Sequence, residues 1–121
     1  MSNLLEVTAV LSSPIDPRHL KTREGPKGRK LDYLDWACYV RHLNHRAPGW
    51  TWVIDEVKVL GPYVMAKGTL TIPHEDGVLT FSGVSSEPLD GKHSPPIETC
   101  CSRALARAAA MTGLSLELWE H

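Results

Sequence analysis

Residues 50–86 read WTWVIDEVKVL-GP-YVMAKGTLTIP-HEDG-VLTFSGVSS, and this stretch decides the fold. Three strand-like runs, at 50–60, 63–73 and 78–86, are rich in β-branched and aromatic residues. Trp50, Trp52 and Ile54 alternate along the start of the first. Gly61-Pro62 and Asp76-Gly77 supply turn chemistry between the runs, so the spacing predicts an antiparallel meander.

A helix is expected on either side. Over residues 32–46, Tyr33, Trp36, Ala37, Val40, Leu43 and Asn44 follow an i, i+3, i+4, i+7 spacing. Asp32 suits the start of this helix, Asp35 its first turn, and Pro48-Gly49 its end. A second helix is expected over residues 97–112, with Ile97, Cys101, Ala104, Leu105, Ala108 and Met111/Thr112 on one face and Gly113 as its stop. Residues 21–30, KTREGPKGRK, read as a basic loop, because Gly25, Pro26 and Gly28 punctuate them. Residues 87–96 read as a second loop. Asp16-Pro17 marks a turn or a helix start, and residues 3–12 fit a helix or a strand equally. The fold class is therefore α+β: a helix, a three-stranded antiparallel meander and a C-terminal helix. All 121 residues form a single domain whose core spans about 21–113.

Composition bounds the function. No apolar run approaches the ~18–20 residues of a membrane span, and no basic segment precedes an apolar one at the N-terminus. A cytoplasmic protein without membrane contact is expected. The three cysteines, Cys38, Cys100 and Cys101, form no disulfide framework and fit a reducing compartment. The net charge of −1 argues against a nucleic-acid binder until it is divided along the chain. Residues 18–46 carry eight basic and three acidic residues, a balance of +5, and the remainder carries −6.

Three groups of residues carry possible chemistry. Lys21, Arg23, Lys27, Arg29 and Lys30 in the basic loop either track a phosphate backbone or form a solvated charge run. Arg103 and Arg107, at i and i+4 opposite the Ala/Leu stripe, either clamp phosphates or solvate a polar face. The small residues Ala104, Ala106, Ala108, Ala109 and Ala110 are expected to leave this helix backbone accessible to a partner. Tyr33, Trp36, Trp50 and Trp52 suit stacking on bases, but Tyr33 and Trp36 also fit the helix's buried stripe, and core packing is the expected role. Cys38 and His42 share a helix face without the two spaced pairs of a zinc site, so no metal is expected. No phosphate loop, G-x-S-x-G or H-E-x-x-H is present, and the expected protein is not an enzyme and carries no cofactor.

Residues 23–119 resemble the Rad-fifty-two-like single-strand annealing proteins, in order along the chain. Arg23 opens a basic Gly-rich loop that leads through Lys30 into Leu31-Asp32-Tyr33-Leu34, similar to that family's entry to its first core helix. Leu43-Asn44 and then Gly49-Trp50 resemble the family's helix end and first strand. Ser102-Arg103-Ala104-Leu105-Ala106-Arg107-Ala108 resembles its Ala-rich basic final helix, which ends near Thr112-Gly113. The resemblance implies a β-β-β-α core assembled into homo-oligomeric rings or filaments. It further implies single-stranded DNA bound in a cationic groove and annealed to its complement without nucleotide hydrolysis, in recombination and repair.

Carried over by position, Arg23 and Lys30, with Lys27 and Arg29 beside them, match the basic loop's DNA contacts. Arg107, with Arg103 one turn before it, matches a groove-facing basic position of the final helix. Tyr33 matches an aromatic near the bound strand, and Lys92 a basic position linked to a second DNA site. Ala106 and Ala110 stand where other members carry further basic residues. A bacterial or phage-infected cell is the implied setting, with a recombinase or a single-strand-binding protein as partner. An extension that recruits the recombinase is expected to be missing. Two other readings stand beside this one. A double-stranded RNA-binding module shares the α-β-β-β-α order, but Glu98-Thr99-Cys100-Cys101 lacks the lysines that such a module carries at its last helix. The other is an oligomeric scaffold that has lost DNA binding.

Overall fold

The structure is a computed structural model that describes residues 2–90 and 95–119. Its centre is the meander, in the order β3-β4-β5, formed by β3 (Thr51–Leu60), β4 (Tyr63–His74) and β5 (Gly77–Pro88). Both neighbouring pairs are antiparallel, with Leu60 opposite Tyr63 and His74 opposite Gly77 at the two turns. Gly61 holds a φ of 62° before Pro62, which suits a two-residue hairpin turn. A bulge between Ile54 and Glu56 shifts the β3 register by one residue. Along β4 every second residue from Val64 to Ile72 is buried, so one face of the sheet points to the core.

That face is covered by α3 (Pro96–Met111), which packs on β4 and β5. Cys100, Ala104, Leu105, Ala108, Ala109 and Ala110 are its buried residues. The expected accessible Ala backbone is therefore corrected: the small side chains seat the helix on the sheet. Gly83 of β5 lies so close that a Cβ there would be 2.0 Å from the Ala104 carbonyl oxygen. Of the expected face, Ile97 and Met111 are exposed, and Cys100 rather than Cys101 is fully buried. Gly113 ends the helix with a φ of 100°, as expected.

The first helical segment divides differently from its sequence reading. β1 (Lys21–Glu24) and β2 (Lys30–Tyr33) pair antiparallel, Arg23 opposite Leu31 and Glu24 opposite Lys30. The basic loop is thus a β-hairpin. Lys27 and Gly28 turn it with φ values of 60° and 71°, and the Gly25 amide bonds the Arg29 carbonyl at 2.6 Å. Its strands carry charge on both faces and so lack a period-two apolar signal. α2 (Trp36–Arg46) starts only after the hairpin. Its N-cap is Asp35, not Asp32, and the carboxylate accepts the Cys38 amide at 2.9 Å. Tyr39 and Leu43 are its buried residues, so the expected core role of Trp36 and Tyr33 is corrected as well: Trp36 is 56% exposed, and Tyr33 belongs to β2. Trp36 is in phase with Leu43 but sits in the first turn, where no element covers it.

Residues 3–12 resolve as α1 (Leu4–Leu11), capped by Asn3, which accepts the Glu6 amide at 2.9 Å. Val7 and Leu11 face the core. Asp16 caps a three-residue 3-10 turn, Pro17–His19, with Pro17 at its start. The loop expected over 87–96 begins later, because β5 runs to Pro88. The core joins Leu11, Leu43, Leu70, Ile72, Leu105 and Leu114, all at most 1% exposed. Each such leucine or isoleucine side chain contributes about 1.5–3 kcal/mol by leaving water. No helix among the described residues is long and apolar enough to cross a membrane.

Candidate nucleic-acid interface

Residues of the hairpin and of the outer side of α3 line a common groove of about 750 Å³. The hairpin contributes Arg23, Arg29, Lys30, Asp32 and Tyr33 to it. α3 contributes Glu98, Ser102, Arg103, Ala106 and Arg107. Trp36, Tyr39 and Trp119 line it as well. Six of the eight residues singled out from sequence thus meet in one groove, although the two contributing segments are far apart in the chain. Lys27, at the hairpin turn, is not among the lining residues. Lys92 lies outside the described residues.

Local structure sets each cation. Cross-strand pairing puts Arg23 and Tyr33 on the same hairpin face, and the Arg23 guanidinium carbon lies 5.7 Å from the Tyr33 ring centre. The helical spacing of Arg103 and Arg107 presents both on the exposed side of α3. They differ in their partners. Arg103 pairs with Glu87 of β5 at 2.6 Å, so part of its charge is already balanced. Arg107 donates to the Val84 carbonyl at 3.3 Å, a neutral acceptor that leaves its charge available. Among the described residues Arg23, Arg29, Lys30 and Arg107 form no ion pair. The carboxylates of Asp32, Glu98 and Glu117 also line the groove, so five cations face three anions there.

The hairpin is fixed at its base. Lys21 pairs with Asp35, whose carboxyl is lowered to about 2 by that ammonium and by the Cys38 amide. Tyr39 is buried at the back of the groove and shares a hydrogen bond of 2.9 Å with Ser115. Burial pushes its phenol pKa up. Sequence reasoning missed Trp119 altogether and assigned Trp36 to the core. Their signal was composition alone: they are two of only four tryptophans.

A second cavity of about 240 Å³ is lined by His19, Cys38, Arg41, His42 and His45. His19 Nδ1 lies 3.2 Å from His42 Nε2, which joins the 3-10 turn to α2. Among the described residues no three His, Cys, Asp or Glu side chains converge as metal ligands. Trp50 and Trp52, the remaining aromatics of the sequence reading, pack half-buried against the core. Compared with protein-family models and with curated proteins, the chain matches none.

Proposed function

We propose that this groove binds the phosphate backbone of single-stranded DNA and that the protein, as a homo-oligomer, promotes annealing of complementary strands in recombination and repair. One observation carries the reading: Arg23, Arg29 and Lys30 from the hairpin and Arg103 and Arg107 from α3 line a single open groove. Long basic side chains there neutralise phosphates and release counterions. Pairing of the two strands supplies the free energy of annealing, so the activity needs no catalytic group and no nucleotide hydrolysis. Assembly is supported by the sheet, whose outer strands β3 and β5 each have one edge unpaired among the described residues. Val57 and Val59 are exposed on the helix-facing side of β3, where a second copy would cover them. The proposed setting is the cytoplasm of a bacterial or phage-infected cell.

Fluorescence anisotropy with a labelled oligothymidylate, titrated with salt, tests the site. Replacing Arg23 and Arg107 together by Ala lowers affinity about tenfold at low salt and annealing with it. The salt slope falls by about 1.4, since each lost single-strand phosphate contact removes about 0.7. The far-ultraviolet spectrum stays unchanged, because both side chains are exposed. Wild-type affinity in the double variant rejects the groove. Preference for duplex RNA over single-stranded DNA moves the protein to the duplex-binding class. No co-elution with the oligonucleotide at low salt leaves an oligomeric scaffold.

A further inference from the structure

The groove holds an aromatic surface that phosphate binding does not use. Trp36 is 56% exposed and Trp119 is 44% exposed, and both line the same groove as the cations. An indole this open forgoes much of the stabilisation that its burial would bring. Its position is nevertheless well fixed. Trp36 is the first residue of α2, directly after the Asp35 cap, and Leu34 and Tyr39 on either side of it are buried. The backbone is thereby held while the ring stays outside. Tyr33, the other aromatic at this end, already faces the Arg23 guanidinium. The Trp36 indole has no hydrogen-bond or ring partner among the described residues.

We infer that Trp36 is a stacking platform for an unpaired nucleobase, so that the bound strand turns at least one base into the groove while its phosphates meet Arg23, Arg29, Lys30 and Arg107. The inference rests on the single-stranded DNA reading and adds to it a contact with the base itself. A nucleobase is the occupant that fits the surroundings. It is flat and apolar on its face, and its own phosphates are complementary to the flanking cations. A purely aliphatic partner would leave those cations unpaired. Stacking also separates single strands from duplexes, because inside a duplex both faces of a base are covered by its stacked neighbours. The carboxylates of Asp32, Glu98 and Glu117 in the same groove are acceptors suited to exocyclic amino groups.

The test compares two oligonucleotides of equal phosphate number, oligothymidylate and its abasic counterpart, against full-length protein. Trp36→Ala weakens oligothymidylate binding about tenfold, leaves abasic binding and the salt slope unchanged, and Trp36→Phe restores most of the loss. The wild-type protein prefers oligothymidylate to the abasic strand, and Trp36→Ala abolishes that preference. Equal loss on both strands, or no loss on either, overturns the stacking role. In that event, if Arg23→Ala with Arg107→Ala still weakens both strands, the phosphate groove stands and only the platform falls. If the wild-type protein binds neither strand, the groove reading and the platform fail together.

Discussion

Single side chains hold this fold together at points that composition does not mark. Arg46, on the last turn of α2, donates to the carbonyls of Val10, Leu11, Ser13 and Pro14 at 2.6–3.3 Å. Val10 and Leu11 end α1 and Ser13 and Pro14 follow its cap, so a cation from one helix ties down the C-terminal end of another and the turn after it. Arg46→Ala lowers stability by about 2 kcal/mol in urea denaturation at neutral pH. Arg46→Lys recovers only part of this, because a point ammonium cannot fork across four acceptors. His42 behaves oppositely towards charge. Burial, and then the positive neighbours Arg46, His19 and His45, hold its pKa below the ordinary 6.5. The folded state therefore prefers the neutral ring. Stability is fully present above pH 6.5 and falls as pH drops through that value towards the lower folded pKa. Melting temperature measured from pH 7.5 to 5 should decline, and His42→Gln should flatten the decline. Asp35 belongs to another range, since its cap and its Lys21 pair persist until pH falls below 3.8 towards about 2.

At the scale of elements, periodicity gave the face of α3 better than that of α2, where Tyr39 is buried off the expected stripe and Ala37 and Asn44 on it are exposed. Trp36, Ile97 and Met111 are all in phase with their helices' buried stripes, yet all are exposed. Each sits in a first or last turn, where burial requires a neighbouring element that the pattern cannot reveal. The seat of α3 was equally hidden. Gly83 reads as an ordinary glycine in a strand, but a Cβ there would meet the Ala104 carbonyl at 2.0 Å and the Ala108 methyl at 3.0 Å. Gly83→Ala should cost about 3 kcal/mol in thermal denaturation by forcing α3 off β5. Ser82→Ala, one residue away on the exposed face, should be nearly neutral. The hairpin of β1 and β2 escaped detection for another reason. Its strands are four residues each and mostly charged, so no alternation of apolar residues announces them.

For the whole molecule, the relevant charge is that of one surface. The chain's net charge is −1, but five of its cations line one groove. Chain segments separated by the entire meander supply them. This explains why the candidate site was partly legible. The residue types and their clustering along residues 21–30 and at Arg103 and Arg107 are sequence properties. The groove's aromatic lining, the Glu87 partner of Arg103 and the exclusion of Lys27 are properties of packing.

By itself the sequence determined the meander, the C-terminal helix and its glycine stop, because local alternation, turn residues and caps act over a few positions. It also determined where cations are concentrated. The tertiary structure alone decided that the basic loop is a hairpin, that α2 begins at Trp36, and that the hairpin and α3 face each other. Asn3 with Glu6 carried the signature of the α1 start, but apolar spacing over eight residues did not distinguish helix from strand. Burial and juxtaposition depend on contacts between distant segments, and those contacts exist only once the chain has packed.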